Sequence, residues 1–143
     1  FPYRATPQSG LRLNCNDRGQ MPKKIKITAG SLVVDAELND TRTASAVWDA
    51  LPIQANGSTW GDEVYFRIPV EAELESGQEV VELGDIGYWP PGQAFCLFFG
   101  PTPASQGDEI RPASEVTVIG KIIGDSGVLK GVSSGSSVLI EPV

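Results

Sequence analysis

The chain has 143 residues, 41% of them hydrophobic and 20% charged. That is enough for one globular domain that buries roughly 68–70% of its unfolded surface, and too little for two. The longest unbroken apolar run, Ala94 to Phe99, falls far short of the ~20 residues of a membrane span, so a soluble domain with no membrane partner is expected. A formal net charge of −7 repels phosphate and argues against nucleic acid as a partner.

Charge is unevenly distributed along the chain. Residues 1–26 carry Arg4, Arg12, Arg18, Lys23, Lys24 and Lys26 against a single acid, Asp17, which leaves the rest strongly acidic. Residues 1–22 are polar, hold Pro2, Pro7, Gly10 and Gly19, and show no sustained period, so they read as a poorly ordered extension. The fold is expected to occupy residues 23–143. No basic segment followed by an apolar one is visible near the start, which points to the cytoplasm. Cys15 and Cys96 lack the close spacing of a zinc or redox pair and are expected to be two free thiols.

From Lys24 the pattern is that of a hairpin, Lys24 to Thr28 and Leu32 to Leu38, turning at Gly30-Ser31. In the next segment, Thr41 to Leu51, the apolar residues Ala44, Val47, Trp48 and Leu51 fall at helical spacing. Asp40 or Thr41 caps the start and Pro52 forces the stop. Asn56-Gly57 is a hairpin turn signal. Between Glu63 and Ile68 the chain alternates, with Val64, Phe66 and Ile68 on one face and Glu63, Tyr65 and Arg67 on the other. Further strands are expected at Glu79–Leu83, Ile86–Trp89, Gln93–Phe99, Glu115–Ile123 and Ser137–Glu141, separated by Gly, Pro and Asp turns. Seven or eight short strands with one or two short helices describe a mostly β fold, a closed or nearly closed antiparallel barrel.

The chain has no histidine. Ser-His-Asp and Cys-His nucleophiles, imidazole acid–base chemistry and His-based metal sites are therefore excluded. No Walker spacing or dinucleotide-type glycine pattern is present, and no cofactor is expected. Asp62, Glu63 and Asp85 are the carboxylates that would serve acid–base work or a cation. The plainer expectation is that Asp62 and Asp85 accept backbone N–H groups in the Gly61 and Gly84 turns. Glu63, Glu71, Glu73, Glu75, Glu79 and Glu82 would then line solvated strand edges, with no metal bound.

Two segments stand out by residue type: Trp60 to Phe66, and Gly84 to Pro103. Aromatic residues beside Pro/Gly turns either plug a barrel end or wall a shallow cleft. The blocks Trp60-Gly61-Asp62-Glu63, Gly84-Asp85-Ile86-Gly87-Tyr88-Trp89-Pro90-Pro91-Gly92 and Phe98-Phe99-Gly100-Pro101-Thr102-Pro103 resemble, in this order, the small prokaryotic cyclophilin-like proteins. These are β-barrel domains without an assigned activity, and the resemblance runs from Lys24 to Glu141. It implies a barrel of cyclophilin type.

A more distant likeness to the cyclophilin prolyl isomerases rests on Val118-Ile119-Gly120-Lys121-Ile122 and on Tyr65-Phe66-Arg67-Ile68-Pro69. It implies an outward Arg67 in the place of the isomerase arginine, which acts by weakening amide resonance. The Gln-Gly-Gly-Asp-Phe continuation and the Trp-Leu-x-x-x-His element of those enzymes are missing. With Phe95 inward, Cys96 stands where a pocket aromatic belongs. The first expectation is thus a domain that binds a peptide or small-molecule ligand in a cleft involving Trp60, Tyr65, Tyr88, Trp89, Cys96 and Phe98, next to Arg67. The alternatives are a prolyl isomerase with Arg67 as its catalytic residue, Arg67 merely paired with a neighbouring glutamate, and a structural or assembly module. Oligomeric state is left open.

Overall fold

The computed structural model describes residues 23–143; the extension 1–22, with Cys15, lies outside the described residues. Strand β1 (Lys23–Ala29) and strand β2 (Leu32–Leu38) form the expected hairpin, Ile25 pairing with Ala36 and Ile27 with Val34. Strict alternation sends Ile25, Ile27 and Ala29 inward together with Val34, Ala36 and Leu38, so each strand gives one face to the core. Helix α1 (Arg42–Ala50) follows. The Thr41 side chain accepts the Ala44 N–H at its start, and Ala44 and Val47 are buried. Trp48 and Leu51 are partly buried against the same core.

The remaining strands are β3 (Ile53–Asn56), β4 (Ser58–Thr59), β5 (Glu63–Arg67), β6 (Asp85–Trp89), β7 (Ala94–Phe98), β8 (Thr117–Ile123) and β9 (Ser137–Pro142). All pairings are antiparallel, in the order β3-β9-β1-β2-β8-β6-β7-β5-β4. The two outermost strands, β3 and β4, are neighbours in the chain, separated by Gly57 alone. The sheet therefore rolls until its edges meet, giving a nearly closed barrel around Ile25, Ile27, Phe66, Ile86, Phe95 and Ile140. Within it the rings of Phe66 and Phe95 stack with centroids 5.2 Å apart. No helix among the described residues is long and apolar enough to cross a membrane.

Asn56-Gly57 is not the hairpin turn that its sequence suggests. β3 pairs with β9 and β4 with β5, so the two strands leave Gly57 toward opposite sheet edges. Gly57 marks the seam: its N–H donates to the Ser136 carbonyl at 2.8 Å and its carbonyl accepts from Gly135 N–H at 2.7 Å. The expected strand at Glu79–Leu83 is also absent. Its backbone makes one isolated bridge, Val81 with Ile110, with Gln78 bridging Val116 just before it, because β6 already has β8 on one side and β7 on the other and offers no free edge.

The long segment between β5 and β6 crosses a barrel mouth and is tied down by polar groups. Tyr88 points inward, donates to the Val70 carbonyl at 2.6 Å and accepts from Ala72 N–H at 3.2 Å. Glu75 N–H donates to Thr117 Oγ1 at 2.8 Å. The Glu75 carboxylate accepts the N–H groups of Arg42 and Thr43 at the helix start, each at 3.3 Å, satisfying donors that every helix leaves open. Burial acts to raise the Glu75 carboxyl, but those two N–H groups and the Arg42 charge hold it below the usual carboxylate range. Glu75 is thus a remote helix cap and not the solvated edge residue expected.

A methyl group at Gly57 would sit 3.0 Å from Val64 Cγ1 and 3.2 Å from Val138 Cγ2, two buried β-branched side chains with little rotameric freedom to withdraw. Gly57→Ala should therefore lower stability by about 1–3 kcal/mol, measured as a lower urea midpoint with an unchanged m value.

Candidate functional site

The outward face of β5, β6 and β7 carries the residues that matter. Register aligns Tyr65 with Cys96 and Cys96 with Gly87, and Ala94 with both Arg67 and Trp89. This face is not left to solvent. Val81, Ile110 and Val116 pack over Ala94, Cys96 and Phe98 to form a second apolar cluster outside the barrel. Gly87 permits the close approach, since a Cβ there would lie 3.0 Å from Val116 and 3.1 Å from Phe98.

The covering segment, residues 99–116, is stiffened from within. Thr102 Oγ1 donates to the Arg111 carbonyl, Arg111 N–H donates to Ser105 Oγ at 3.1 Å, and Arg111 Nε donates to Glu109 at 2.6 Å. It is fastened to the barrel by Trp89 Nε1, which donates to Ser114 Oγ at 2.6 Å.

Between this cover and the strands lies a pocket of about 300 Å³ lined by Trp60, Glu63, Tyr65, Trp89, Cys96, Pro112, Ala113 and Val116. Of the residues expected at a binding cleft, Trp60, Tyr65, Trp89 and Cys96 are brought together here. Two are not. Tyr88 is fully buried inside the barrel, where its hydroxyl holds the Val70–Ala72 segment, and Phe98 is fully buried beneath the cover. Both are architecture. Arg67 is outward and exposed, as alternation requires, yet it lines a separate polar depression with Glu71, Glu73, Pro90 and Pro91. Its partner is the Gln93 amide oxygen at 2.6 Å and not a glutamate.

Glu63 is the residue that pattern reading misplaced. Expected on a solvated edge, it is 5% exposed, and its Oε1 has no hydrogen-bond partner. It forms no ion pair with any described residue. Burial drives its carboxyl from the ordinary 4.5 up to about 7, only partly offset by the adjacent Cys96 thiol, a weak donor. The Cys96 thiol is itself pushed well above its usual range, first by burial and then by the Glu63 charge. Neither Asp62 nor Asp85 lines the pocket with Glu63. Asp85 lines other depressions and accepts the Glu82 N–H at 2.8 Å, as a turn residue should. The signal for a second cover was present in the sequence: Ala94 to Phe99 has no polar alternation, the mark of a strand buried on both faces.

A family model described as cyclophilin-like matches residues 23–141, and the chain belongs to that family. It is similar to a hypothetical protein of Archaeoglobus fulgidus solved in solution, with 43% identity, a TM-score of 0.75, and coverage of 89% of this chain and 99% of that one. A structure of McbB in complex with tryptophan is similar in fold, with a TM-score of 0.61 at 13% identity over 82% of this chain and 44% of that one. No curated protein matches the chain.

A carboxyl whose pKa rises on folding gives stability that is complete below its unfolded value and is lost as pH climbs through the folded one. For Glu63 that window runs from 4.5 to about 7, and the full loss is about 3 kcal/mol. Glu63→Gln should therefore stabilise the protein by about 3 kcal/mol at pH 8 and change little at pH 4, read from thermal melts at the two pH values. Equal effects at both would show that Glu63 does not titrate in this way.

Proposed function

We propose that this member of the cyclophilin-like family is a binding module that takes a small ligand or a peptide side chain into the pocket walled by Trp60, Tyr65 and Trp89. One observation carries the reading. An apolar recess of about 300 Å³ has the buried Glu63 in its wall, and one carboxylate oxygen of that residue, Oε1, has no hydrogen-bond partner among the described residues. A cavity at the small end of the ligand-site range, mostly apolar with one fixed polar group, is the usual form of a small-ligand site. An unpaired buried acid costs stability, and perturbed acids of this kind gather at functional sites.

The geometry gives less support to a prolyl isomerase working through Arg67. That guanidinium lies over a depression bounded by Glu71, Glu73 and Gln93, and it is not a lining residue of the aromatic recess in which a proline ring would fit. An assembly module would call for a continuous exposed apolar face. The exposed apolar residues Val33, Leu83 and Ile123 neighbour one another, since Ile123 pairs with Asp35 and the Ile122 N–H donates to the Gly84 carbonyl, but they are interleaved with Asp35 and Lys121 and none of them lines the recess.

The test is a ¹H–¹⁵N titration with small aromatic and aliphatic fragments at millimolar concentration. Shifts are expected to cluster at the Trp60 and Trp89 indoles, Tyr65 and Cys96, to survive Arg67→Ala, and to vanish in a variant with Ala113→Trp filling the recess. Shifts confined to the Arg67 depression, or none anywhere, would overturn the reading.

A further inference from the structure

The chemistry of the recess narrows what it can hold. Its one charged group is the Glu63 carboxylate, and three of its lining residues are aromatic: Trp60, Tyr65 and Trp89. The Trp89 N–H is already given to Ser114, so that indole has no donor left for a ligand. Aromatic π systems attract cations, most strongly cations that shed water easily. A single carboxylate is too few oxygens for a hard metal ion, which takes about six or more. A bare ammonium would need several acceptors, and the apolar lining of Pro112, Ala113 and Val116 supplies none from its side chains. An alkylated ammonium, bulky and weakly hydrated, matches both the walls and the charge.

Among the described residues, nothing else close to Glu63 competes for that role. β4 brings Ser58 and Thr59, without charge. Arg67, further along the same strand, is held by Gln93, and Arg111 in the covering segment is held by Glu109 and Glu79. Asp62, the preceding residue, lies against Gly100, and Asp85 sits with Glu82 and Lys121. Cys96 on β7 is the titratable side chain that acts on Glu63.

Resting on the binding reading above, we infer that the Trp60–Tyr65–Trp89 recess selects a compact alkylated ammonium group, with the Glu63 carboxylate as its counter-ion. Such a group comes either as a free small amine or as a methylated lysine side chain on a peptide.

The experiment uses the full chain and two probes of nearly equal shape, choline and its uncharged carbon isostere 3,3-dimethylbutan-1-ol, followed by tryptophan fluorescence and ¹⁵N shifts. At pH 8 choline should bind at least about tenfold more tightly than the isostere. Glu63→Gln, which removes the charge and is expected to fold at least as well, should erase that difference. Choline affinity should fall about tenfold per unit as pH drops below about 7, where Glu63 takes up a proton, and should be flat in Glu63→Gln. A trimethyllysine peptide run alongside assigns the source: tighter binding than choline points to a peptide, weaker binding to a free amine. Equal binding of choline and the isostere would overturn the ammonium inference and leave the pocket reading standing. Failure of both probes and of the uncharged fragments would remove the two together.

Discussion

Strand β7 is buried on both faces, and the rest of the site depends on that. Its inward residues Phe95 and Leu97 pack in the barrel, while its outward residues Ala94, Cys96 and Phe98 pack under Val81, Ile110 and Val116. A strand at the surface of an ordinary barrel would present that second face to water. Here the outer layer withdraws water from a neighbouring residue of β5 as well, and Glu63 loses its solvation while gaining, among the described residues, only the weak Cys96 thiol beside it. The perturbed carboxyl and the apolar recess therefore have one cause, a cover that fits closely over Cys96 and Phe98 and leaves space beside Trp60 and Trp89.

Holding a cover in place requires directional bonds, since apolar packing alone leaves a loop free to slide. The polar residues scattered through 68–84 and 99–116 serve that end. Tyr88, Thr117 and Glu75 fix the first segment to the barrel and to the helix start, and Thr102, Ser105, Glu109 and Arg111 brace the second. Several residue types that suggest chemistry in a sequence are thus occupied with scaffolding. The barrel is the shared frame of the family, and any activity belongs to what is built on it. On this chain the aromatic recess and the Arg67 depression are neighbouring but separate features, so an arginine in the place suggested by distant enzymes does not carry their pocket with it.

Much of the frame was legible. The β1–β2 hairpin, the helix with its Thr41 cap and the facing of Val64, Phe66 and Arg67 follow from periods of two and 3.6 residues, which depend on nothing beyond the local backbone. Four aromatic and thiol residues of the recess were legible as well, because Trp and Tyr beside Gly and Pro turns are unusual in a plain barrel wall. Two elements were misread for a common reason. Asn56-Gly57 has the composition of a tight turn, but the closure of the barrel assigns its flanking strands to opposite edges. Glu79–Leu83 has the composition of a strand, but β6, the strand it precedes, is already paired on both sides.

Sequence by itself determined which side chains lie on the same side of each strand, that no imidazole chemistry is available, and that the chain forms a barrel of this family. Only the tertiary structure decided which outward sides stay outward. Glu63, Tyr65 and Arg67 alternate identically, yet the first is sealed in, the second edges a recess and the third stands in solvent. The difference comes from residues distant in the chain, Ile110 to Val116, whose docking is set by the curvature of the closed sheet and by bonds such as Trp89 to Ser114, and local periodicity holds no information about either.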